Sequence, residues 1–307
     1  MITAGEPASR RPRLEVVVVA FTGGRELLKG CLESISRDPL RRGPMAVWVV
    51  DNATDDGTRA MLAERYPRVK TRRLERPASF SAANNVVLRG ATAPYVLLLN
   101  PDTELSEGAL EAALQSLVAD PRRAVVGVRL VRPDGRFDHA AKRSFPTILG
   151  ALAHFIGLSG RPRVPGWLDQ YRAPATPERG AGPVDAVSGA CMLVRQAAIQ
   201  SVGLLDEGYR LYGEDLDWCY RFKRAGWTVW YDGSATVMHV KGATTIKGNV
   251  VRYRDLRLNY AFHHAMGRFY RKFNAGERPL QDLLVYCALA LKFWCSALRS
   301  AGARRVG

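Results

Sequence analysis

The sequence contains no Cys-x-x-Cys pair, and its five cysteines are an odd number with wide, irregular spacing. This pattern argues against a zinc knuckle or a disulfide framework and favours reduced thiols in the cytosol. Residues 1–13 are polar and lack the apolar core of a signal peptide, so we expect a cytoplasmic protein. The apolar stretch 283–298 is interrupted by Lys292 and is shorter than the ~20 residues of a spanning helix, so no transmembrane segment is expected.

Acidic residues are scarce relative to basic ones. The 29 Asp and Glu against 45 Lys and Arg give a net charge of +16. Such a charge predicts an anionic partner, which can be nucleic acid, anionic lipid headgroups or a phosphate-bearing substrate. The length of 307 residues suffices for one large α/β domain with an appendage.

Apolar runs alternate with segments of helical periodicity in the first half of the chain. The runs at 14–21, 46–50 and 95–99 are typical of strands buried on both faces. Strands that alternate with helices predict βαβ units and an α/β fold, with a mostly parallel central sheet and helices on both faces. Ligands bind such sheets at the carboxyl ends of the strands.

The second half of the sequence is less regular. Residues 157–183 are rich in Gly, Pro and Arg and predict a long loop or lid. Residues 184–195 predict a strand pair bent at Gly189, and short separate strands are expected at 228–231 and 235–238.

Two of the predicted strands end in Asp-containing turns. Asp51 could accept hydrogen bonds from a pyrimidine or a ribose, although turn chemistry explains it equally well. Asp102, in the turn Asn100-Pro101-Asp102, could hold a divalent cation against a diphosphate, although the tripeptide alone favours a plain turn.

Three carboxylates, Glu214, Asp215 and Asp217, lie at the start of a predicted helix. The helix dipole favours acidic residues there, so capping is one explanation, and a general base for an attacking hydroxyl is another. His239 follows an apolar run near a strand end. Such a histidine is more often structural, but beside a diphosphate it could complete a metal shell.

In their order along the chain, several segments resemble family 2 of the glycosyltransferases, inverting enzymes with the GT-A fold. The segments are VVVVAFTGGRELLKGCLESI, VVDNATDDGT, FSAANNV, YVLLLNPDTEL, VSGACMLVR, LYGEDLDWCYRFKRAGW and ATVMHVKGATT, over roughly the first four-fifths of the chain. They are most similar to the rhamnosyltransferase-like enzymes that build bacterial surface polysaccharides and lipid-linked glycans.

The resemblance implies a role for each candidate residue. Asp215 matches the catalytic base, with Glu214 and Asp217 as alternatives, and Asp102 and His239 match the ligands of a divalent cation, Mg²⁺ or Mn²⁺. The residues implied to bind the nucleotide sugar are Ala20, Phe21, Asp51, Asn84, Asn100, Asp102, Ser188 and Gly189.

The sequence departs from the family pattern at three places. The first strand ends in Phe21-Thr22 where the family has an aromatic residue followed by Asn, and residues 77–79 are Pro-Ala-Ser where it has Asn-x-Gly. Both departures leave the identity of the nucleotide open. Asn100 replaces the first acid of the Asp-x-Asp motif, as is common in the rhamnosyltransferase-like subgroup, so Asp102 remains the main carboxylate for the metal.

The activity implied is transfer of rhamnose or another hexose from a dTDP- or UDP-sugar to a hydroxyl of a glycan or lipid-diphosphate-linked acceptor, in bacterial cell-surface polysaccharide synthesis. A basic nucleic-acid-binding protein and a sugar nucleotidyltransferase are the alternatives. No nucleic-acid-binding motif accompanies the charge, so we expect no nucleic-acid partner. Residues 22–25 only faintly match the triphosphate loop that a nucleotidyltransferase would be expected to carry.

The expected organisation is a flexible segment 1–13, a glycosyltransferase domain 14–245 and a basic helical region 246–307. The domain would divide into a nucleotide-sugar half, 14–130, and an acceptor and catalytic half, 131–245. Aromatic residues near 283–298 and the flanking arginines predict a helix that lies in the membrane interface, so we expect a peripheral protein on the anionic inner face of the cell membrane. The alternative is a helix packed in the core or against a second copy in a homodimer.

Overall fold

The computed structural model describes residues 12–145, 173, 175–240 and 256–302. Most of the predicted loop or lid at 157–183 lies outside the described residues. The same is true of residues 1–11 and of the segment 241–255, where the boundary between the predicted domain and the helical region falls.

The strands are β1 (Leu14–Ala20), β2 (Met45–Asp51), β3 (Lys70–Arg73), β4 (Tyr95–Leu99), β5 (Thr103–Leu105), β6 (Arg123–Val131), β7 (Lys142–Arg143), β8 (Ala181–Pro183), β9 (Ala186–Val187), β10 (Cys191–Arg195) and β11 (Thr228–His239). The helices are α1 (Arg25–Arg37), α2 (Thr58–Arg65), α3 (Phe80–Leu88), α4 (Ala109–Val118), α5 (Gln196–Val202), α6 (Glu214–Arg224), α7 (Leu256–Phe273) and α8 (Pro279–Gly302).

The central sheet confirms the predicted α/β class. Within the described residues its strand order is β3-β2-β1-β4-β10-β6-β11-β5, with β8 paired to β11. The first four strands are parallel, because helices cross over between them. Beyond β4 the sheet is mixed: β10 is antiparallel to both of its neighbours, β4 and β6, whereas β11 is parallel to β6 and antiparallel to β5. The predicted parallel pairing therefore describes the first half better than the second.

Two details of the second half differ from the sequence prediction. Residues 184–195 do not form one bent strand pair, because β9 pairs with β7 in a separate two-stranded sheet while β10 joins the central one. The two short strands expected at 228–231 and 235–238 are one continuous strand, β11. A register shift between Asp232 and Thr236 absorbs the turn-forming residues that made the sequence look interrupted.

The core lies on both faces of the sheet. Val16, Val17 and Val18 are consecutive residues of β1 that point to opposite faces, and all three are fully buried. Helices therefore cover the sheet on both sides at this strand, as the continuous apolar run predicts. Burial of each such side chain contributes about 1.5–3 kcal/mol to the free energy of folding. The strands are therefore stable, and their ends, where the polar candidate residues lie, have defined positions.

Helix α7 is held to the domain by charged side chains that we call the clamp: Asp206, Asp217, Arg268 and Lys272. Lys272 Nζ lies 2.6 Å from an oxygen of each aspartate, and Arg268 Nη2 lies 2.8 Å from Asp206 Oδ1. Burial opposes ionisation of Asp206, but Lys272, the Gly208 N–H and Arg268 outweigh it and lower the pKa of Asp206 to about 2. Asp206 is therefore ionised at neutral pH and can pair with both cations of the clamp.

Helix α8 packs on α7 and leaves an apolar face in solvent. It has 24 residues, and its segment Pro279–Leu298 is long and apolar enough to cross a membrane, by length and composition alone. The sequence argument that this stretch is too short is therefore wrong, because the helix extends beyond 283–298 at both ends. Length and hydropathy do not distinguish a spanning helix from one lying on a surface. Six of its exposed large apolar side chains recur at helical spacing, and we call them the apolar stripe: Leu280, Leu283, Leu284, Leu291, Trp294 and Leu298.

Candidate active site

The candidate residues of the first half lie at the carboxyl ends of the parallel strands. Ala20 is buried at the end of β1, and Phe21 follows it partly exposed. Asp51 ends β2, where Oδ1 accepts the N–H of Thr54 at 2.8 Å and Oδ2 lies 3.0 Å from Arg73 Nη1. The carboxylate of Asp51 thus closes its turn and orients a guanidinium that is half exposed at the same edge.

Asn84 lies inside α3 and is buried. Its side-chain amide donates to the carbonyl of Phe80 at 2.9 Å, which is a contact within its own helix. Phe80, which the sequence did not single out, lies nearer to the other candidates. A Cβ added to Gly189 would be 3.5 Å from the Phe80 ring and 3.6 Å from Asp215 Cβ, so Gly189 fits closely between them.

The structure brings Asp102 and His239 together across 137 residues of sequence. Strand β11 pairs with β5 in a register that sets His239 opposite Thr103, and the N–H of Val240 donates to the carbonyl of Asp102 at 2.8 Å. His239 Nε2 consequently lies 3.5 Å from Asp102 Oδ1, and Nδ1 lies 3.8 Å from Asp138 Oδ2. The imidazole is held between two carboxylates.

The Asp102–His239 pair has the donor chemistry of a divalent-cation site. Asp102 is fully buried, yet neither carboxylate oxygen accepts a hydrogen bond from the described residues. Buried polar atoms are normally satisfied, so this pair fits an additional cationic partner. Burial acts to lower the pKa of His239, but Asp102 and Asp138 outweigh it and raise the pKa to about 9, a measure of the negative potential at the site.

The protein supplies few ligands at this position. No ready-made group of three or more His, Cys, Asp or Glu ligands occurs in the part of the chain that the structure describes. One carboxylate and one imidazole, with the remaining positions left for water and phosphate, match the way in which Mg²⁺ and Mn²⁺ bind with nucleotide substrates. The residues present therefore fit such a cation.

The acidic residues at the start of α6 have different environments. Asp215 Oδ2 accepts hydrogen bonds from Arg143 Nη2 at 2.5 Å and from the N–H of Gly189 at 3.0 Å. Its Oδ1 accepts the N–H of Leu216 at 2.7 Å. The carboxylate is thus held in one orientation, and 12% of the side chain remains exposed.

Asp217 is enclosed by cations. Its oxygens lie 2.7 Å from Arg221 Nε, 2.6 Å from Lys272 Nζ and 3.3 Å from Tyr209 OH, and its side chain has no exposed surface. Burial raises the pKa of Glu214, and the charge of Asp215 raises it further. Asp215 differs from Asp217 in that its oriented carboxylate is not fully enclosed.

Residues 188–190 join the two parts of the site. The N–H of Asn100, two residues before Asp102, donates to the carbonyl of Ala190 at 2.9 Å. The N–H of Gly189 donates to Asp215, and Ser188 Oγ accepts the N–H of Ala190 at 3.3 Å. The predicted residues Ser188 and Gly189 therefore lie between the turn that carries Asp102 and the helix that carries Asp215.

Three residues of the site were not found from the sequence: Phe80, Asp138 and Arg143. Asp138 begins a short 3₁₀ turn, and Arg143 lies in the two-residue strand β7. No spacing relates position 138 to 239 or position 143 to 215, because both contacts depend on how distant segments pack. Phe80 immediately precedes the SAANN run, which was the only local signal for it.

Comparison with known proteins places the chain among sugar-transferring enzymes. A family model described as glycosyltransferase like family 2 matches residues 12–255. The chain is 31% identical over 262 residues to an N-acetylglucosaminyl-diphospho-decaprenol L-rhamnosyltransferase of Mycobacterium tuberculosis, and the match covers 82% of this chain and 81% of that protein. It is 28% identical over 153 residues to rhamnosyltransferase WbbL of Escherichia coli, covering 49% and 54% of the two chains.

Solved structures share the fold. The mannosyltransferase PcManGT of Pyrobaculum calidifontis, in complex with GDP-Man and Mn²⁺, superposes with a TM-score of 0.60 at 19% identity, covering 95% of this chain and 74% of that one. GalNAc-T7 with UDP, GalNAc and Mn²⁺ gives a TM-score of 0.58 at 12% identity, covering 91% and 54%. The GT-A architecture implied by the sequence motifs is thereby confirmed.

Proposed function

The chain belongs to the glycosyltransferases of family 2, and from this premise we propose that it transfers a hexose, with rhamnose as the first candidate, from a dTDP- or UDP-sugar to a hydroxyl of a lipid-diphosphate-linked glycan. The pathway would be bacterial cell-surface polysaccharide synthesis. One structural observation carries the proposal: the Asp102–His239 pair and Asp215 lie at one end of the sheet, joined through residues 188–190. The name of the Mycobacterium tuberculosis relative supports the class of donor and acceptor.

Asp102 and His239 would hold a divalent cation, Mg²⁺ or Mn²⁺, which when bound neutralises the charge of a leaving diphosphate. Ala20, Phe21 and Asp51 would surround the base and ribose of the donor at the ends of β1 and β2. The acceptor and the donor sugar would meet beside Gly189, where an added Cβ would lie in ordinary van der Waals contact with Phe80 and Asp215.

Asp215 would act as the general base. Arg143 and the Gly189 N–H hold its Oδ2, whereas Oδ1 accepts, among the described residues, only the Leu216 N–H, so Oδ1 would take the proton from the acceptor hydroxyl. The oxygen then attacks the anomeric carbon from the face opposite the diphosphate, and one displacement inverts its configuration. Burial raises the pKa of Glu214 and so favours its neutral form, and Asp217 is enclosed by Arg221 and Lys272.

The α7–α8 hairpin would bind the inner face of the membrane. The apolar stripe would enter the interface, and the surplus of basic residues in a chain of charge +16 would favour anionic lipids by ~1 kcal/mol per residue near the surface. Vesicles containing phosphatidylglycerol should bind the purified protein at low salt. A failure to bind, with dimers in solution, would assign the stripe to a second copy instead.

The function is tested by transfer assays with dTDP-rhamnose and with UDP- and GDP-sugars, using prenyl-diphosphate-linked N-acetylglucosamine as the acceptor. EDTA should abolish transfer. Asp215→Asn should lower kcat by a factor on the order of 10²–10⁴ and leave donor binding nearly unchanged. Asp134→Asn, at an exposed ion pair with Arg136, is the matched control. Near-normal turnover of Asp215→Asn would reject the base assignment, and full activity in EDTA would reject the metal.

A further inference from the structure

A cavity of about 750 Å³ lies between α7, α8 and the segment that leads into α6. We propose that it binds the diphosphate and the first isoprene units of a prenyl-diphosphate-linked acceptor. This inference rests on the proposed function and adds to it a binding site for the part of the acceptor that does not react. Its volume lies in the range typical of sites for small ligands.

The lining of the cavity suits a phosphate group next to a hydrocarbon chain. Arg210, Arg257 and His264 line it, and no acidic side chain is found among the described lining residues. Guanidinium groups bind phosphate oxygens with two parallel hydrogen bonds. Tyr260 and Phe293 supply an aromatic wall, with ring centroids 6.2 Å apart in an edge-to-face arrangement. The cavity thus offers donors for phosphate oxygens and an apolar surface for a hydrocarbon chain.

The position of the cavity matches the geometry of the reaction. Leu211 lines it, and four residues later the chain reaches Asp215 through a turn at Gly213, which has φ +86°. Four residues span at most ~14 Å. In an acceptor whose first sugar carries the diphosphate, the phosphates lie within one sugar of the hydroxyl that reacts. A diphosphate in the cavity therefore leaves that hydroxyl close to the proposed base.

The surface beyond the cavity is apolar and suits the lipid tail of the acceptor. Tyr260 is 55% exposed at the cavity, and Trp294, next to the wall residue Phe293, is 62% exposed. From Trp294 the apolar stripe continues along α8. A prenyl chain that leaves the cavity would thus follow an apolar surface towards the membrane, whereas a soluble nucleotide or a nucleic acid would gain nothing from it.

The first test compares acceptors. Arg210→Gln and Arg257→Gln are assayed with N-acetylglucosamine linked to prenyl diphosphate, and with the same sugar on a neutral alkyl chain. We expect kcat/KM for the diphosphate acceptor to fall roughly tenfold for each variant, the loss of one charge-assisted contact, with the neutral acceptor unaffected. Arg278→Gln, in the turn between α7 and α8, removes the same charge outside the cavity and should change neither value.

A second test does not depend on turnover. Binding of farnesyl diphosphate is measured in EDTA, so that the proposed metal site does not contribute, with farnesol and inorganic pyrophosphate as separate probes. Farnesyl diphosphate should bind more tightly than either probe and about tenfold more weakly to the cavity variants than to Arg278→Gln. Equal binding by all variants, or an equal loss with both acceptors, would overturn the cavity assignment. Absence of transfer by the wild type, with farnesyl diphosphate binding intact, would instead reject the proposed function.

Discussion

Asp102 and Asp217 are equally buried carboxylates with opposite surroundings. Both side chains are fully shielded from solvent. Asp217 has Arg221, Lys272 and Tyr209 around it, whereas Asp102 has the imidazole of His239 at 3.5 Å and no hydrogen bond from a described residue. Burial alone therefore does not reveal which acid is functional.

The number of partners separates the two roles. A buried charge is tolerated where cations and donors replace its water, and Asp217 meets this condition entirely within the protein. Asp102 does not, and such under-satisfied groups are commonly those whose partner is a ligand. We infer that Asp217 serves the clamp and Asp102 serves the reaction, and the following substitutions test the distinction.

Of the three substitutions compared, Asp102→Asn should have the largest effect on activity. Loss of the charged metal ligand removes several kcal/mol of stabilisation from the leaving diphosphate, so kcat should fall by roughly 10³-fold. The melting temperature should change little, because the side chain accepts no hydrogen bond from a described residue. Steady-state transfer and thermal unfolding of the same sample measure both. A large loss of stability, with activity retained in the folded protein, would show that Asp102 serves the fold and not the reaction.

Asp217→Asn should affect mainly stability. It leaves Arg221 and Lys272 beside a neutral group, and breaking a buried pair in this way costs roughly 3 kcal/mol. Denaturant unfolding measures this loss, and Asp134→Asn at the exposed Arg136 pair gives the baseline. Activity per folded molecule should remain within severalfold of the wild type. A loss comparable to that of Asp102→Asn would place Asp217 in the reaction.

Arg143→Met should produce the smallest of the three effects in free energy. The guanidinium donates to Asp215 Oδ2, so its loss leaves the carboxylate less firmly oriented, and kcat should fall roughly tenfold. Arg143→Lys keeps a cation at this position and should recover part of the lost activity. Steady-state transfer and thermal unfolding of the same samples measure both effects. If the activity of each variant falls only because less of it is folded, Arg143 supports only the fold.

The strands and helices of the first half could be read from local sequence. The runs that became β1, β2 and β4 are apolar on consecutive residues because both faces of these strands are covered. The second half could not be read in the same way. Strand β11 continues through a bulge that resembles a chain break, and β10 enters the sheet antiparallel through contacts that no periodicity encodes.

From the sequence, only the site residues that lie in the family segments could be predicted. Asp102, Asp215 and His239 could be selected because the ordered family segments relate them, but their separate spacings predict nothing about contact. Asp138 and Arg143 had no such guide, and Phe80 begins the family segment FSAANNV without any feature that singles it out. Each meets the site through a contact across the fold, and each stands in a segment whose composition is ordinary for a turn, a short strand or a helix start.

By itself the sequence determined the α/β class, the family and the residue types at the strand ends, because periodicity and turn chemistry are properties of neighbouring residues. The tertiary structure alone decided which acids are satisfied and which are not. That distinction depends on the β5–β11 register, which sets His239 beside Asp102, and on the packing of α7, which brings Lys272 to Asp217. Of the partners compared, only Arg221 stands at helical spacing from its acid, Asp217. His239 and Lys272 reach theirs across the fold, so their contacts depend on distance in space and cannot be read from distance along the chain.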